Sequence, residues 1–270
     1  LSRRLTYGVA TAYALLGAVL FLWPTALAPV FAWNVTPFMA MTIGGWCLGN
    51  AWLAWISARR WTWGLVYSAL GYLWLFGFLQ AAVVIAFAAK LRLGHPVAWA
   101  YLAALALNVL CGLVGVAEIV RARPAAPASG GPVRPLQRAT VWAFVVFVGF
   151  LALYGLVAPV GAVGTNGGIF PEVMSPFTLR SFAAFYLALA LAAGPLVRER
   201  SLAVLLHHAF ASYGLIVAIT AAALFFLPLF DFAHRPGGLV YLGAYFLVGV
   251  PLIPAFFRLG TGAPAASDAA

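Results

Sequence analysis

The sequence predicts an all-α protein that crosses a membrane several times. Of its 270 residues, 65% are hydrophobic and only 7% are charged, whereas a soluble domain has about 25% charged residues. The mean hydropathy is +1.04, and the hydrophobic residues fall into runs of about 20, the length of a membrane-spanning helix. This composition excludes a soluble enzyme, a disordered chain and a secreted disulfide-linked scaffold.

Eight hydrophobic runs are long enough to predict transmembrane helices. The third and seventh exceed the hydrocarbon thickness, so we expect them to tilt or to extend beyond it. The first follows Arg3 and Arg4, as in a signal peptide, but it is longer than a signal-peptide hydrophobic region, so we expect it to be retained. The runs cover residues 5–22, 38–58, 63–89, 97–120, 140–160, 177–197, 202–230 and 239–257.

The basic residues predict the orientation of these spans. One side of the membrane would carry eleven arginines, and the other Lys90, Arg92 and Arg235, with Arg180 at the edge of a span on that side. Loops rich in Lys and Arg face the cytoplasm, so with eight spans both termini are expected there. The eleven are Arg3, Arg4, Arg59, Arg60, Arg121, Arg123, Arg134, Arg138, Arg198, Arg200 and Arg258.

The same basic residues bear on partners and location. The net charge of +10 does not indicate nucleic-acid binding, because its charges lie in short loops and form no basic domain. We expect a multi-pass protein of the plasma membrane, prokaryotic in type, surrounded by lipids and by other integral membrane subunits. Tryptophans near the predicted span ends would form interfacial belts. They are Trp23, Trp33 and Trp99 on the outer side, and Trp61, Trp63 and Trp142 on the inner side.

The chain divides into two halves. Residues 1–120 and 139–259 would each form four spans, joined by a Pro/Ala/Gly-rich linker at 121–138 and followed by a disordered tail at 260–270. At an offset of 139, residues 36–60 show six identities in 25 positions, among them Pro37 with Pro176. An even number of spans in each half predicts two parallel four-helix repeats about an axis along the membrane normal.

Small residues at helical spacing predict close helix packing. Gly45 and Gly49 lie four apart in the second span, and Cys111 and Gly115 lie four apart in the fourth. Such pairs let two helix backbones approach each other. We expect packing inside the bundle, with an interface to another chain as the alternative.

Arg180 is a charged residue about one turn inside the sixth span. A charge within the hydrocarbon is costly without a partner, and Asp231 and Glu172 lie near the same membrane face. If the sixth and seventh spans are antiparallel neighbours, Asp231 is the better partner by depth. A structural ion pair is therefore expected, and binding of an anion or lipid headgroup and snorkelling to the interface are the alternatives.

Five further polar side chains lie within spans. Asn50, Gln80 and Asn108 are of the type that bridges helices by hydrogen bonds, and they could also line a substrate path. His207 and His208 point about 100° apart on a helix, so they would not share a metal. We expect one histidine inside the bundle and one near the interface, with a single axial ligand to a porphyrin or chlorophyll as the alternative. No metal site is predicted and no cofactor is required.

Two functions agree with these patterns. The sequence has no Walker loop, GxSxG, HExxH or CxxC, so no enzyme class is indicated. The first hypothesis is a non-catalytic integral membrane subunit that packs against other membrane proteins. The second is a small transporter, or a protein that binds a lipid or hydrophobic ligand, with its site between the two halves. A polar cavity between the halves would favour the second hypothesis, and a dry bundle with a flat aromatic face toward lipid the first.

Overall fold

A computed structural model describes residues 1–122, 131–159 and 169–261, and every regular element in these ranges is helical. Six segments are long and apolar enough to cross a membrane: α1, α4, α5, α6, α8, and α7 with the 3-10 turn that extends it to Arg198. The chain is therefore an all-α, multi-pass membrane protein. The helices are α1 (Ser2–Leu22), α2 (Pro24–Leu27), α3 (Pro37–Arg59), α4 (Trp63–Ala86), α5 (Pro96–Ala122), α6 (Pro135–Val157), α7 (Pro176–Ala193), α8 (Leu202–Phe225) and α9 (Gly237–Thr261).

Local chemistry sets the starts of α3 and α7. The Thr36 and Ser175 side chains each accept a hydrogen bond from the backbone amide three residues on, at 3.2 Å in both cases. A proline follows each cap, where its missing amide costs nothing. The two longest predicted spans were expected to end at residues 89 and 230. In the structure α4 ends at Ala86 and α8 ends at Phe225. Each is followed by a short 3-10 turn, Ala88–Lys90 after α4 and Leu227–Leu229 after α8.

Helices extend into both ends of the predicted linker and into the start of the predicted tail. Helix α5 runs to Ala122, and α6 begins at Pro135, so the last four residues assigned to the linker are helical. The Arg134 amide donates to Gln137 Oε1 at 2.8 Å, which closes the first turn of α6. Helix α9 extends to Thr261, two residues into the predicted tail. Linker residues 123–130 and tail residues 262–270 lie outside the described ranges.

The helices meet in a defined order. In the first half α1 packs against α3 and α5, and α4 packs against α5; in the second half α6 packs against α7, and α8 against α9. The halves join where α3 contacts α8 and where α4 contacts both α7 and α8. We call this surface the central seam. Helix α4 packs against both α7 and α8, whereas α7 and α8, although consecutive, do not pack closely against each other. The sixth and seventh spans are therefore not the close neighbours that were expected.

Trp33 was expected in an interfacial belt but is buried, with 1% of its surface exposed. Its ring stacks on Phe177 at 4.3 Å between centroids, and its Nε1 donates to Thr178 Oγ1 at 3.1 Å. The chain before α3 thus folds back onto α7, which a hydropathy pattern does not reveal. Other predicted belt tryptophans are exposed as expected: Trp23, Trp99 and Trp142.

Candidate functional site

A row of polar side chains follows the central seam on α4. Ser68, Tyr72 and Gln80 are spaced at multiples of four and so lie along one helix face. All three are buried, and Phe76 completes the row. Because α4 packs against both α7 and α8, this face lies where the two halves meet.

Hydrogen bonds across the seam join the halves toward both ends of the bundle. Gln80 Nε2 donates to Ser181 Oγ at 3.0 Å on the side of Lys90. Toward the end that carries Arg59 and Arg60, which we call the basic end, Ser68 Oγ donates to the Ala192 carbonyl at 2.7 Å. The same hydroxyl lies 3.0 Å from His208 Nδ1. The seam is therefore polar near its ends and fully hydrogen-bonded at Ser68.

Polar groups at the middle of the seam have no such partners. The Trp46 Nε1, both polar atoms of Asn50 and the Tyr72 hydroxyl are buried and have no hydrogen-bond partner in the structure. Tyr72 is close enough to Asn50 to interact with it but does not reach hydrogen-bond geometry. An unsatisfied buried polar group costs about 1–3 kcal/mol. Together these groups present two nitrogen donors, an amide oxygen and a hydroxyl at the centre of the seam.

Aromatic rings fill the space beside these groups. Trp46 stacks on Phe185 of α7, with 4.9 Å between centroids and 7° between planes. Its edge contacts Phe182 at 4.6 Å, and Phe76 lies 6.3 Å away. The rings come from α3, α4 and α7, so they close the centre of the seam between the two halves.

The three amides predicted within spans behave differently. Asn108 Nδ2 donates to the Leu73 carbonyl at 2.9 Å and to the Tyr13 hydroxyl at 3.2 Å. It therefore bridges α5 to α4 and α1 within the first half. Gln80 bridges the two halves, and Asn50 bridges nothing. The amide oxygens of Gln80 and Asn108 also have no hydrogen-bond partner, but Asn50 alone among the three amides has none at either polar atom.

Both histidines are buried on α8, and the expectation that one of them lies near the membrane interface stays a prediction. His208 shares a hydrogen bond with Ser68, whereas neither ring nitrogen of His207 has a partner. Arg60 at the basic end is close enough to His207 for the charge of its guanidinium to act on the imidazole ring. Within the described ranges, no three His, Cys, Asp or Glu side chains gather closely enough to hold a metal ion.

Arg180 does not form the expected ion pair with either acid in the part of the chain that the structure describes. Its Nη1 donates to the Gly155 carbonyl of α6 at 2.6 Å. Asp231 instead pairs with His234 at 2.9 Å, and Glu172 accepts a hydrogen bond from Thr36. Asp231 lies in the loop after α8, where His234 already pairs with it, and the Arg180 side chain reaches α6 instead.

Glu172 is the half-buried acid of this region. Burial raises the pKa of its carboxyl above the usual value, and the hydrogen bond from the Thr36 hydroxyl opposes that rise. The bond joins the loop before α7 to the cap residue of α3. Glu172 therefore links the two halves at the end opposite the basic end.

The four small residues predicted to pack helices lie inside the bundle. A Cβ at Gly49 would lie 2.5 Å from the Leu215 Cα of α8, and one at Gly45 would lie 3.2 Å from the Ala218 carbonyl carbon. Gly115 lies directly against the Trp74 ring of α4. Cys111 is a buried free thiol, and its Sγ lies 3.4 Å from Thr6 Oγ1. Gly45 and Gly49 thus set the distance between the two halves.

Several seam residues were not predicted from the sequence. Ser68 and Tyr72 had one signal, the four-residue spacing with Gln80. Trp46 had none, because a tryptophan in an apolar helix resembles any other core residue. No protein-family model, curated protein or solved structure matches this chain.

Proposed function

We propose that this protein is a small transporter whose central seam takes up an uncharged polar solute, and that the structure is its closed state. The observation that carries the proposal is the unpartnered set of Trp46, Asn50 and Tyr72 in the middle of the seam. Buried polar groups are almost always paired in proteins, and exceptions concentrate at functional sites. The groups are all neutral, so they suit hydroxyl- or amide-bearing solutes better than ions.

We further propose that all eight long helices cross the membrane and form two parallel repeats. At the offset of 139, α4 and α8 begin and end at equivalent residues, and so do the 3-10 turns that follow them. The contact of α3 with α8 has its equivalent in that of α7 with α4. Trp46 and Phe185 are themselves equivalent positions, and they stack on each other as residues beside a two-fold axis would. Sites in repeat-built membrane proteins lie at the repeat interface.

The topology can be tested by labelling. We propose that the basic end faces the cytoplasm of a prokaryotic cell, with both termini on that side. Cysteines introduced at Ser129 and Ser267 should resist an impermeant thiol reagent in intact cells and react after lysis. The native Cys47 and Cys111 are buried and provide the unlabelled background. Labelling of both introduced cysteines in intact cells would show that the protein has the opposite orientation.

Asn50→Leu tests the solute path. The change removes two unpartnered polar atoms without removing volume, so we expect the variant to be as stable as the parent or slightly more stable. We also expect it to lose solute flux. Glycerol and urea entry into proteoliposomes, measured by stopped-flow light scattering, gives the flux. Thermal unfolding in the same detergent gives the stability.

Asn108→Leu is the matched control. Its side chain makes two hydrogen bonds inside the first half, so the variant should lose about 1 kcal/mol of stability and keep its flux per folded molecule. Parent flux no greater than that of protein-free vesicles for both probes would contradict the transport proposal. Equal flux through the parent and through Asn50→Leu would show that Asn50 does not line the solute path.

A second candidate function is a subunit of a membrane complex, and the surface of α6 favours it. Within the described ranges, α6 packs against α7 and the 3-10 turn after it. A Cβ at Gly149, in the middle of α6, would meet no atom within 4 Å. The uncovered side also carries exposed large residues, among them Trp142, Val146, Phe150, Leu153 and Val157.

Purification in mild detergent with mass spectrometry tests this alternative. A second membrane protein present at a constant ratio, and lost from Gly149→Leu, would support the subunit role. Gly71→Leu is the control, because Gly71 also has no neighbour within 4 Å but lies on α4. Recovery of the parent without any stoichiometric partner would contradict the subunit role.

A further inference from the structure

We propose that a cleft at the basic end binds the phosphate of an anionic glycerophospholipid. The cleft has a volume of about 370 Å³ and is lined by Ile56, Arg59, Arg60 and Phe210. It lies between the last turn of α3 and α8, outside the seam's unpartnered polar groups. Two guanidinium groups and two apolar side chains form its walls, which matches a headgroup with a charged phosphate and an apolar glycerol ester.

The arginines of the cleft are available for an anion. Arg59 and Arg60 are exposed, and in the described part of the chain neither lies within 4.0 Å of a carboxylate. The Arg60 guanidinium lies over the Phe210 ring, 5.6 Å from its centroid, which restrains it beside the apolar wall. The position of Phe210 is in turn restrained by the Trp52 Nε1, which donates to its backbone carbonyl at 3.0 Å.

The equivalent place in the second half is closed. At the offset of 139, Arg59 corresponds to Arg198, but Arg60 corresponds to the acid Glu199. Glu199 Oε2 accepts a hydrogen bond from the Tyr67 hydroxyl at 2.8 Å, and its Oε1 accepts from two backbone amides. Within the described ranges, one half therefore offers two arginines that pair with no carboxylate, and the other half offers a hydrogen-bonded carboxylate at the equivalent place.

The surroundings of the cleft favour a lipid as the source of the phosphate. Arg3 adds a third guanidinium nearby, since its Nε donates to the Ala58 carbonyl at 2.8 Å. Trp55, one helical turn before Arg59, is exposed and can lie along an acyl chain. On the proposed orientation, the basic end faces the leaflet that is rich in anionic lipids.

Thermal unfolding in detergent with added lipid tests the site. We expect dioleoyl phosphatidylglycerol to raise the melting temperature of the parent, and dioleoyl phosphatidylcholine to leave it unchanged. The double variant Arg59→Gln/Arg60→Gln should bind phosphatidylglycerol roughly tenfold more weakly. Both side chains are exposed, so its melting temperature without lipid should match that of the parent.

The matched control is Arg198→Gln/Arg200→Gln, which removes the same charge from the same end of the bundle. It should retain the full response to phosphatidylglycerol. An equal loss in both double variants would show only general attraction to basic loops and would overturn the site. A shift of equal size with millimolar inorganic phosphate would identify a soluble anion as the occupant and overturn the lipid assignment.

Discussion

Trp46→Ala is expected to lower the free energy of unfolding in mixed micelles by about 3 kcal/mol, near the lower end of the range for truncating a buried tryptophan. Trp46 is 2% exposed and stacks on Phe185. In lipid the loss comes from packing rather than from transfer out of water, because acyl chains are as apolar as the core. Titration with a denaturing detergent, followed by circular dichroism, measures the effect.

A double-mutant cycle with Phe185→Ala isolates the contact between the rings. The coupling energy should be about 0.5–1.5 kcal/mol, the value found for aromatic pairs beyond their area burial. Trp142→Ala is the control, since this tryptophan is 53% exposed on α6, and it should change stability by less than about 0.5 kcal/mol. Equal effects of Trp46→Ala and Trp142→Ala would show that the aromatic stack does not hold the halves together.

Gly49→Ala is expected to destabilise the protein by about 1–3 kcal/mol through overpacking. The new Cβ would lie 2.5 Å from the Leu215 Cα, and a backbone atom cannot move without shifting α8 away from α3. The same denaturing titration measures the loss. Because the contact joins the two halves, intramolecular crosslinking between α3 and α8 should also become less efficient.

Gly71→Ala is the matched control for this prediction. Gly71 lies in the interior of α4, and a Cβ there would meet nothing within 4 Å. Alanine is favoured over glycine within a helix, so this variant should gain about 0.5–1 kcal/mol. The two glycine-to-alanine changes therefore have opposite expected signs, and a gain in stability for both would contradict the close approach of α3 and α8.

The amino-acid sequence determined the class of this protein and the positions of its helices. A bilayer requires runs of about 20 apolar residues, so composition and hydropathy suffice to identify a multi-pass helical protein. Capping chemistry is equally local, which is why Thr36-Pro37 and Ser175-Pro176 mark helix starts correctly. The small residues Gly45 and Gly49, which were predicted from their spacing to allow close packing, lie against α8 in the structure.

Tertiary structure alone decided which helices are neighbours and which side chains meet. Helices such as α3 and α8 are apolar on nearly every face, so no polar stripe indicates which side points inward. For that reason the packing of α4 against both α7 and α8, and the partner of Arg180, could not be read from the chain. The same holds for the unpartnered group at Trp46, Asn50 and Tyr72, because whether a buried polar atom finds a partner depends on the neighbouring helix and not on its own sequence.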